Sequence, residues 1–230
     1  MRTLLIYLFI IFLSLSSFAF SGGEITSPDP DPSRFQSEIN LFVEWDQKNS
    51  HPAQAILFIG SSSIRLWPTC LAFPDFPVIN RGFGGAHTSD LIYFYDQIVQ
   101  PYDAAVIVFY AGDNDIAAGK TAAQVFEDYT ELVTRIRHDK PLVKFIYLPV
   151  KPSPSRFSLW KEMNRLNLMI KVYNDKNVGL FYVDVAIPLL DSNAVPDKKF
   201  FTKDLLHLSE EGYTQWQKIL APKLQELYPK

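Results

Sequence analysis

Five short apolar runs, spaced along the chain and separated by helix-like stretches, constrain this fold more than any other feature of the sequence. Ala55–Ile59 and Ala104–Tyr110 are unbroken. A strand with apolar side chains on both faces must be covered on both faces, which is the condition of a central parallel strand. Val78-Ile79-Asn80, Val143–Leu148 and Leu180–Val185 read as three more strands. Between them, Phe35, Ile39, Phe42 and Trp45 recur at helical spacing within Arg34–Gln47 and predict an amphipathic helix lying on the sheet. Thr88–Val99 reads as a helix with Leu91, Ile92, Tyr95 and Val99 inward, followed by helices over about Ala122–His138 and Leu159–Tyr173. Ser209-Glu210-Glu211 opens a last helix to about Leu227. Strands alternating with helices predict one doubly wound α/β domain over residues 34–230, with a parallel sheet of about five strands.

The N-terminus reads differently. Met1-Arg2 precedes an almost wholly apolar stretch, Leu4–Leu15, and small residues follow up to Ser21. A basic start, an apolar centre and small residues before a cut predict a secretory signal peptide over residues 1–21, cleaved after Ala19 or Ser21. The alternative is a membrane tether left uncleaved, for which the run is near the lower length limit. Cleavage implies a secreted or periplasmic protein with no stable membrane insertion. Residues 22–33, with paired Gly and repeated Asp-Pro, read as a flexible leader.

The single cysteine, Cys70, cannot staple its own chain, and a small buried residue is its expected role. A net charge of −3 with no basic run argues against nucleic acid. Asp113 and Asp115 invite a metal, but no second His and Asp cluster completes a site, and no cofactor is called for.

Polar and glycine-rich residues gather where strands end: Gly60–Ser63, Arg81–Ser89 and Gly112–Asp115. In open α/β sheets chemistry collects beyond the carboxyl ends of strands, so a serine after Gly60 is a candidate nucleophile. Capping the next helix is the competing role for these serines. Near the chain end, Asp204 and His207 are spaced i, i+3, so on a helical turn the carboxylate reaches the ring. A carboxylate that orients an imidazole, which takes a proton from a serine, is the logic of hydrolytic Ser-His-Asp sites. Glycines let backbone N–H groups approach a reacting oxygen, and an Asn amide can complete an oxyanion site. His87 and Asp90 share the i, i+3 relation in reverse order, and spacing alone does not choose between the two pairs.

The blocks Gly60-Ser61-Ser62, Gly84-Gly85, Gly112-Asp113-Asn114-Asp115 and Asp204-Leu205-Leu206-His207 resemble, in order, the four signatures of SGNH/GDSL hydrolases. The resemblance covers nearly all of residues 55–220. It implies a flavodoxin-like three-layer α/β/α fold and ester hydrolysis through an acyl-enzyme without a cofactor. Matched position by position, it implies Ser62 as nucleophile, His207 as base and Asp204 as its orienting carboxylate. The oxyanion donors it implies are the Ser62 N–H, the Gly85 N–H and the Asn114 side-chain amide. Ser61 departs from the family's commonest Asp and questions local hydrogen bonding there. A Gly-x-Ser-x-Gly elbow is absent, which disfavours the α/β-hydrolase fold.

The resulting expectation is a secreted esterase acting on a small-molecule or carbohydrate ester, with short acyl groups such as acetyl. The loops carrying Ser62, Gly85 and Asn114 are short, and the longer Pro149–Phe157 carries Pro, Ser, Lys151 and Arg156, which suits a polar substrate. An O-acyltransferase, a lipase or a thioesterase would use the same residues, and a non-catalytic carbohydrate-binding module would not need them all filled. Trp67, Phe83 and Trp160 could form a sugar platform, but rings this large more often serve the core.

Overall fold

A computed structural model describes residues 29–229. The predicted signal peptide and most of the leader lie outside the described residues. Five strands, β1 (Ala55–Gly60), β2 (Val78–Gly82), β3 (Ala104–Tyr110), β4 (Lys144–Tyr147) and β5 (Leu180–Tyr182), form one parallel sheet in the order β2-β1-β3-β4-β5. This is the flavodoxin-like order, and its direction reverses between β1 and β3.

The apolar runs are explained by two cores. Along the strands, Leu57, Ile59, Ile107, Phe109, Phe145 and Tyr147 face one layer, while Ile56, Phe58, Val106, Val108, Tyr110 and Ile146 face the other. The first layer contains α1 (Gln36–Asp46), α4 (Thr88–Tyr93), α5 (Tyr95–Ile98), α7 (Ala122–Asp139) and α8 (Trp160–Asp175). The second is built by the short α2 (Ser62–Arg65) and α3 (Thr69–Ala72) with α9 (Glu210–Leu227), whose Trp216, Leu220 and Leu224 are buried. Short α6 (Asp113–Ala117) follows β3 directly. Ser209 caps α9 by accepting the Gly212 N–H at 3.2 Å.

Several expectations are corrected. The helix expected over Thr88–Val99 is two pieces, because Phe94 leaves the helical region between α4 and α5. Trp45 does not lie on the sheet; it is 65% exposed, since α1 runs beside α5 and its inward stripe ends at Phe42. Cys70 is exposed rather than buried. The end of the leader, from Asp29, is not loose: Asp29 accepts from Ser89 Oγ at 2.7 Å and pairs with Lys120, and Pro32–Phe35 form a 3-10 turn. Trp67 and Phe83 are buried in the core, and Trp160 is half-buried. No helix among the described residues is long and apolar enough to cross a membrane.

Candidate active site

The parallel sheet brings the carboxyl ends of β2, β1 and β3 side by side. Gly60 ends β1 at φ +146°, and a Cβ there would stand 2.0 Å from the Tyr110 carbonyl of β3. Only glycine lets the two strand ends approach this closely. The Ser61 N–H donates to that same Tyr110 carbonyl at 2.9 Å, and α2 starts at the next residue, Ser62. Ser62 is half-buried, and its N–H belongs to the first turn of α2, where no helical carbonyl can take it. Ser61, the departure from the commonest signature, is buried and its Oγ has no hydrogen-bond partner among the described residues.

Ser62 Oγ lies 3.0 Å from His207 Nε2, and His207 Nδ1 lies 2.6 Å from Asp204 Oδ2. The i, i+3 pair therefore meets, but not on a helix. Residues 202–207 form a turn in which Leu205 takes φ +59°. Asp204 Oδ1 holds the turn together by accepting from Thr202 Oγ1 at 2.7 Å, the Leu206 N–H at 2.9 Å and the His207 N–H at 3.0 Å. An Asp side chain that caps its own following backbone competes with helix formation, which is why a turn replaces the expected helical one. Desolvation pushes the Asp204 carboxyl up. The bonds from the His207 ring, the two backbone N–H groups and Thr202 together outweigh it and hold the group well below the usual carboxylate range.

Gly85 is exposed and takes φ +79°, and a Cβ there would meet nothing within 4 Å, so conformation rather than space demands glycine. Asn114 follows Gly112 and Asp113 at the end of β3, on the first turn of α6. Its Nδ2 donates to the Ala86 carbonyl at 3.1 Å, tying this side chain to the Gly85 loop.

His87 is placed differently. It is buried, and its Nδ1 has no hydrogen-bond partner among the described residues. Burial first, then the Arg34 and Lys120 charges, lower its pKa to about 4, which leaves it neutral at pH 7. Asp90 meets it only through the backbone, accepting the His87 N–H at 2.8 Å, and pairs with Arg34.

Sequence reading missed the polar cluster under these groups. Lys151 was expected to lend charge to a substrate-facing loop, yet it is 1% exposed. Its Nζ donates to Tyr110 OH at 2.9 Å, Ser63 Oγ at 3.0 Å and Asp113 Oδ2 at 3.2 Å. Arg156 is also engaged, with Nη1 3.0 Å from Asn114 Oδ1 and 3.4 Å from Asp113 Oδ2. Desolvation raises the Asp113 carboxyl, but the Lys151 and Arg156 charges and the Lys151 and Tyr110 hydrogen bonds bring it below its ordinary value. Asp113 is thus an ion-pair partner. Among the described residues no group of three or more His, Cys, Asp or Glu is placed to hold a metal ion. The available signal was a lone lysine continuing directly from the buried β4 run, where an ammonium needs acceptors.

A hydroxyl held against an imidazole whose other nitrogen binds a carboxylate is the arrangement used in nucleophilic acyl transfer. Comparison with solved structures shows what the fold resembles. The fold matches a Streptococcus pneumonia protein provisionally named a platelet activating factor, at 23% identity and TM-score 0.75, over 83% of this chain and 93% of that one. It matches a GDSL-like lipase from Bacteroides thetaiotaomicron at 19% identity and TM-score 0.70, over 85% of this chain and 98% of that one. It also matches a family 3 carbohydrate esterase from Clostridium thermocellum at 15% identity and TM-score 0.61, over 77% of this chain and 100% of that one. No curated protein matches the sequence. The family model for GDSL-like lipases and acylhydrolases matches residues 61–215, so the chain belongs to the GDSL-like lipase/acylhydrolase family.

Proposed function

We propose that this protein is a secreted serine esterase that hydrolyses short-acyl carboxylic esters, with a carbohydrate as the alcohol, through an acyl-enzyme. The observation that carries the reading is the hydrogen-bonded run Ser62 Oγ to His207 Nε2 at 3.0 Å and His207 Nδ1 to Asp204 Oδ2 at 2.6 Å. Ser62 Oγ attacks the ester carbonyl carbon while His207 Nε2 takes the hydroxyl proton. The negative oxygen of the tetrahedral intermediate is held by the Ser62 and Gly85 N–H groups and the Asn114 amide. The C–O bond to the alcohol then breaks, and His207 returns the proton to the departing oxygen. Water, deprotonated by His207, attacks the acyl-Ser62 ester, and the acid leaves as Oγ regains its proton.

The elements around the site support a small acyl group. One residue joins β1 to α2 and two join β3 to α6, so neither connection carries an insertion that could cover a long acyl chain. His207 must reach the leaving oxygen, and a cavity of about 510 Å³ beside it runs between the Leu66–Pro68 segment, α3 and α9. Leu66, Leu71 and Tyr213 give that cavity an apolar side, while Glu210, Thr214 and Gln217 give it polar groups. An apolar face bordered by hydroxyl and amide groups suits a sugar ring on the alcohol side.

A fluorophosphonate probe tests the reading. It should label the wild-type protein at Ser62, and Ser62→Ala should stay folded by circular dichroism yet take no label. Labelling that survives Ser62→Ala and disappears with Ser61→Ala or Ser63→Ala would move the nucleophile.

A further inference from the structure

Asn114 is held at both ends of its amide. Oδ1 accepts from Arg156 Nη1 at 3.0 Å, and Nδ2 donates to the Ala86 carbonyl at 3.1 Å. An amide nitrogen carries two hydrogens, so one remains for a reacting oxygen once Ala86 has taken the other. A half-turn of the side-chain amide exchanges oxygen and nitrogen at almost no steric cost. Here the flipped amide would set its NH2 against the guanidinium and its oxygen against the Ala86 carbonyl. Both contacts are repulsive, and the oxyanion would then face the wrong atom or a misplaced one.

The guanidinium is itself steadied. It lies 3.4 Å from Asp113 Oδ2, a buried carboxylate also bound by Lys151. Next to Arg156, the Ser155 N–H donates to the Leu205 carbonyl at 3.0 Å, in the middle of the turn that carries Asp204 and His207. The segment bearing Arg156 therefore touches both halves of the site.

We propose that Arg156 is a positioning residue of the oxyanion site, fixing the orientation of the Asn114 amide so that an Nδ2 hydrogen faces the substrate oxygen. This rests on the reading of Asn114 as an oxyanion donor given above. Arg156 acts on the rate through Asn114 and does not bind substrate. Its loss leaves the amide free to flip, so part of the donor's effect is lost while substrate binding is kept.

The test is a double-mutant cycle on the full chain with Arg156→Met, Asn114→Ala and both together. Each is assayed with nitrophenyl acetate and with a nitrophenyl ester bearing a free carboxylate. Losing an oxyanion donor costs roughly a hundredfold to a thousandfold in turnover, so Arg156→Met should lower kcat by about tenfold to a hundredfold. KM should hold for both substrates, and the same change should do little in the Asn114→Ala background. Arg156→Lys, which keeps charge and a donor, should recover part of the loss, and melting temperatures would identify any variant impaired by misfolding alone. An equal loss in both backgrounds, no loss at all, or a KM increase confined to the anionic ester would overturn the proposal while leaving the donor role of Asn114 intact. Normal kcat in Asn114→Ala would instead remove the oxyanion reading and the proposal with it.

Discussion

Ser62 Oγ and His207 Nε2 stand 3.0 Å apart across 145 residues of chain. The contact is braced from beneath, because Tyr213 OH of α9 donates to the Ser63 carbonyl of α2 at 3.0 Å. Trp216, one turn further along α9, donates to the Val185 carbonyl at 3.0 Å beyond β5. The last helix is thereby fixed to both the serine helix and the sheet, and the turn before it can hold the imidazole against the hydroxyl.

That geometry ranks the histidines. His207→Ala should abolish nearly all turnover with the fold retained. His87→Ala should be much milder, since His87 is buried and its Nδ1 has no hydrogen-bond partner among the described residues, whereas His207 Nε2 meets Ser62 Oγ. Kinetics of the two variants on one nitrophenyl ester decide the matter, and the reverse ranking would transfer the role of base to His87.

Asp204→Asn separates two tasks of one side chain. Its retained oxygen can still accept the Thr202, Leu206 and His207 donors that close the turn. Opposite His207 Nδ1 it replaces a carboxylate oxygen with a neutral group, so imidazolium formation is no longer supported. We expect near-normal stability with turnover down by roughly a thousandfold to ten-thousandfold, the range for such a change in a Ser-His-Asp site. Turnover within a few-fold of wild type would mean the carboxylate serves only the turn.

The fold was legible because β1 and β3 are apolar on both faces, a pattern that leaves few arrangements besides a covered parallel sheet. The proximity of Asp204 and His207 was legible from spacing, but not its form. A left-handed Leu205 and an Asp that caps its own backbone are local choices that helical periodicity does not encode. Lys151 and Arg156 were misread because a charged residue in a loop looks solvated until the loop is folded back over β3. Their partners, Ser63, Asp113 and Asn114, lie about forty to ninety residues away, and no local pattern links them.

Asp115 predicts a pH-dependent stability. Burial raises its pKa to about 7, against the weaker opposing effects of the Thr88 N–H and the Lys120 charge. In the unfolded chain it titrates near the ordinary value of 3.8. Between these values the folded state binds more protons, so this group's favourable contribution is complete below about pH 4 and is lost as pH rises through 7. Asp115→Asn keeps an oxygen for the Thr88 N–H and removes the titration. In urea unfolding, its stability relative to wild type should improve between pH 5 and pH 8, by a few kcal/mol at most. A pH-independent difference would show that Asp115 does not hold its proton in the fold.

Lys151 and Asp113 provide the last prediction. The three donors of one buried ammonium reach Tyr110, Ser63 and Asp113, the latter two adjoining Ser62 and Asn114. Breaking a buried ion pair from one side strands the other charge, at a typical cost of about 3–5 kcal/mol, whereas removing both charges often costs little. Lys151→Met should therefore lower the unfolding free energy by about the lower end of that range, because Arg156 at 3.4 Å still offers Asp113 a second cation. Adding Asp113→Asn should return much of the loss, since no uncompensated buried charge then remains. Urea denaturation of the two single variants and the double variant measures the coupling directly. A double variant destabilised by the sum of the singles would mean that Lys151 and Asp113 act separately, and that packing rather than charge makes Lys151 necessary.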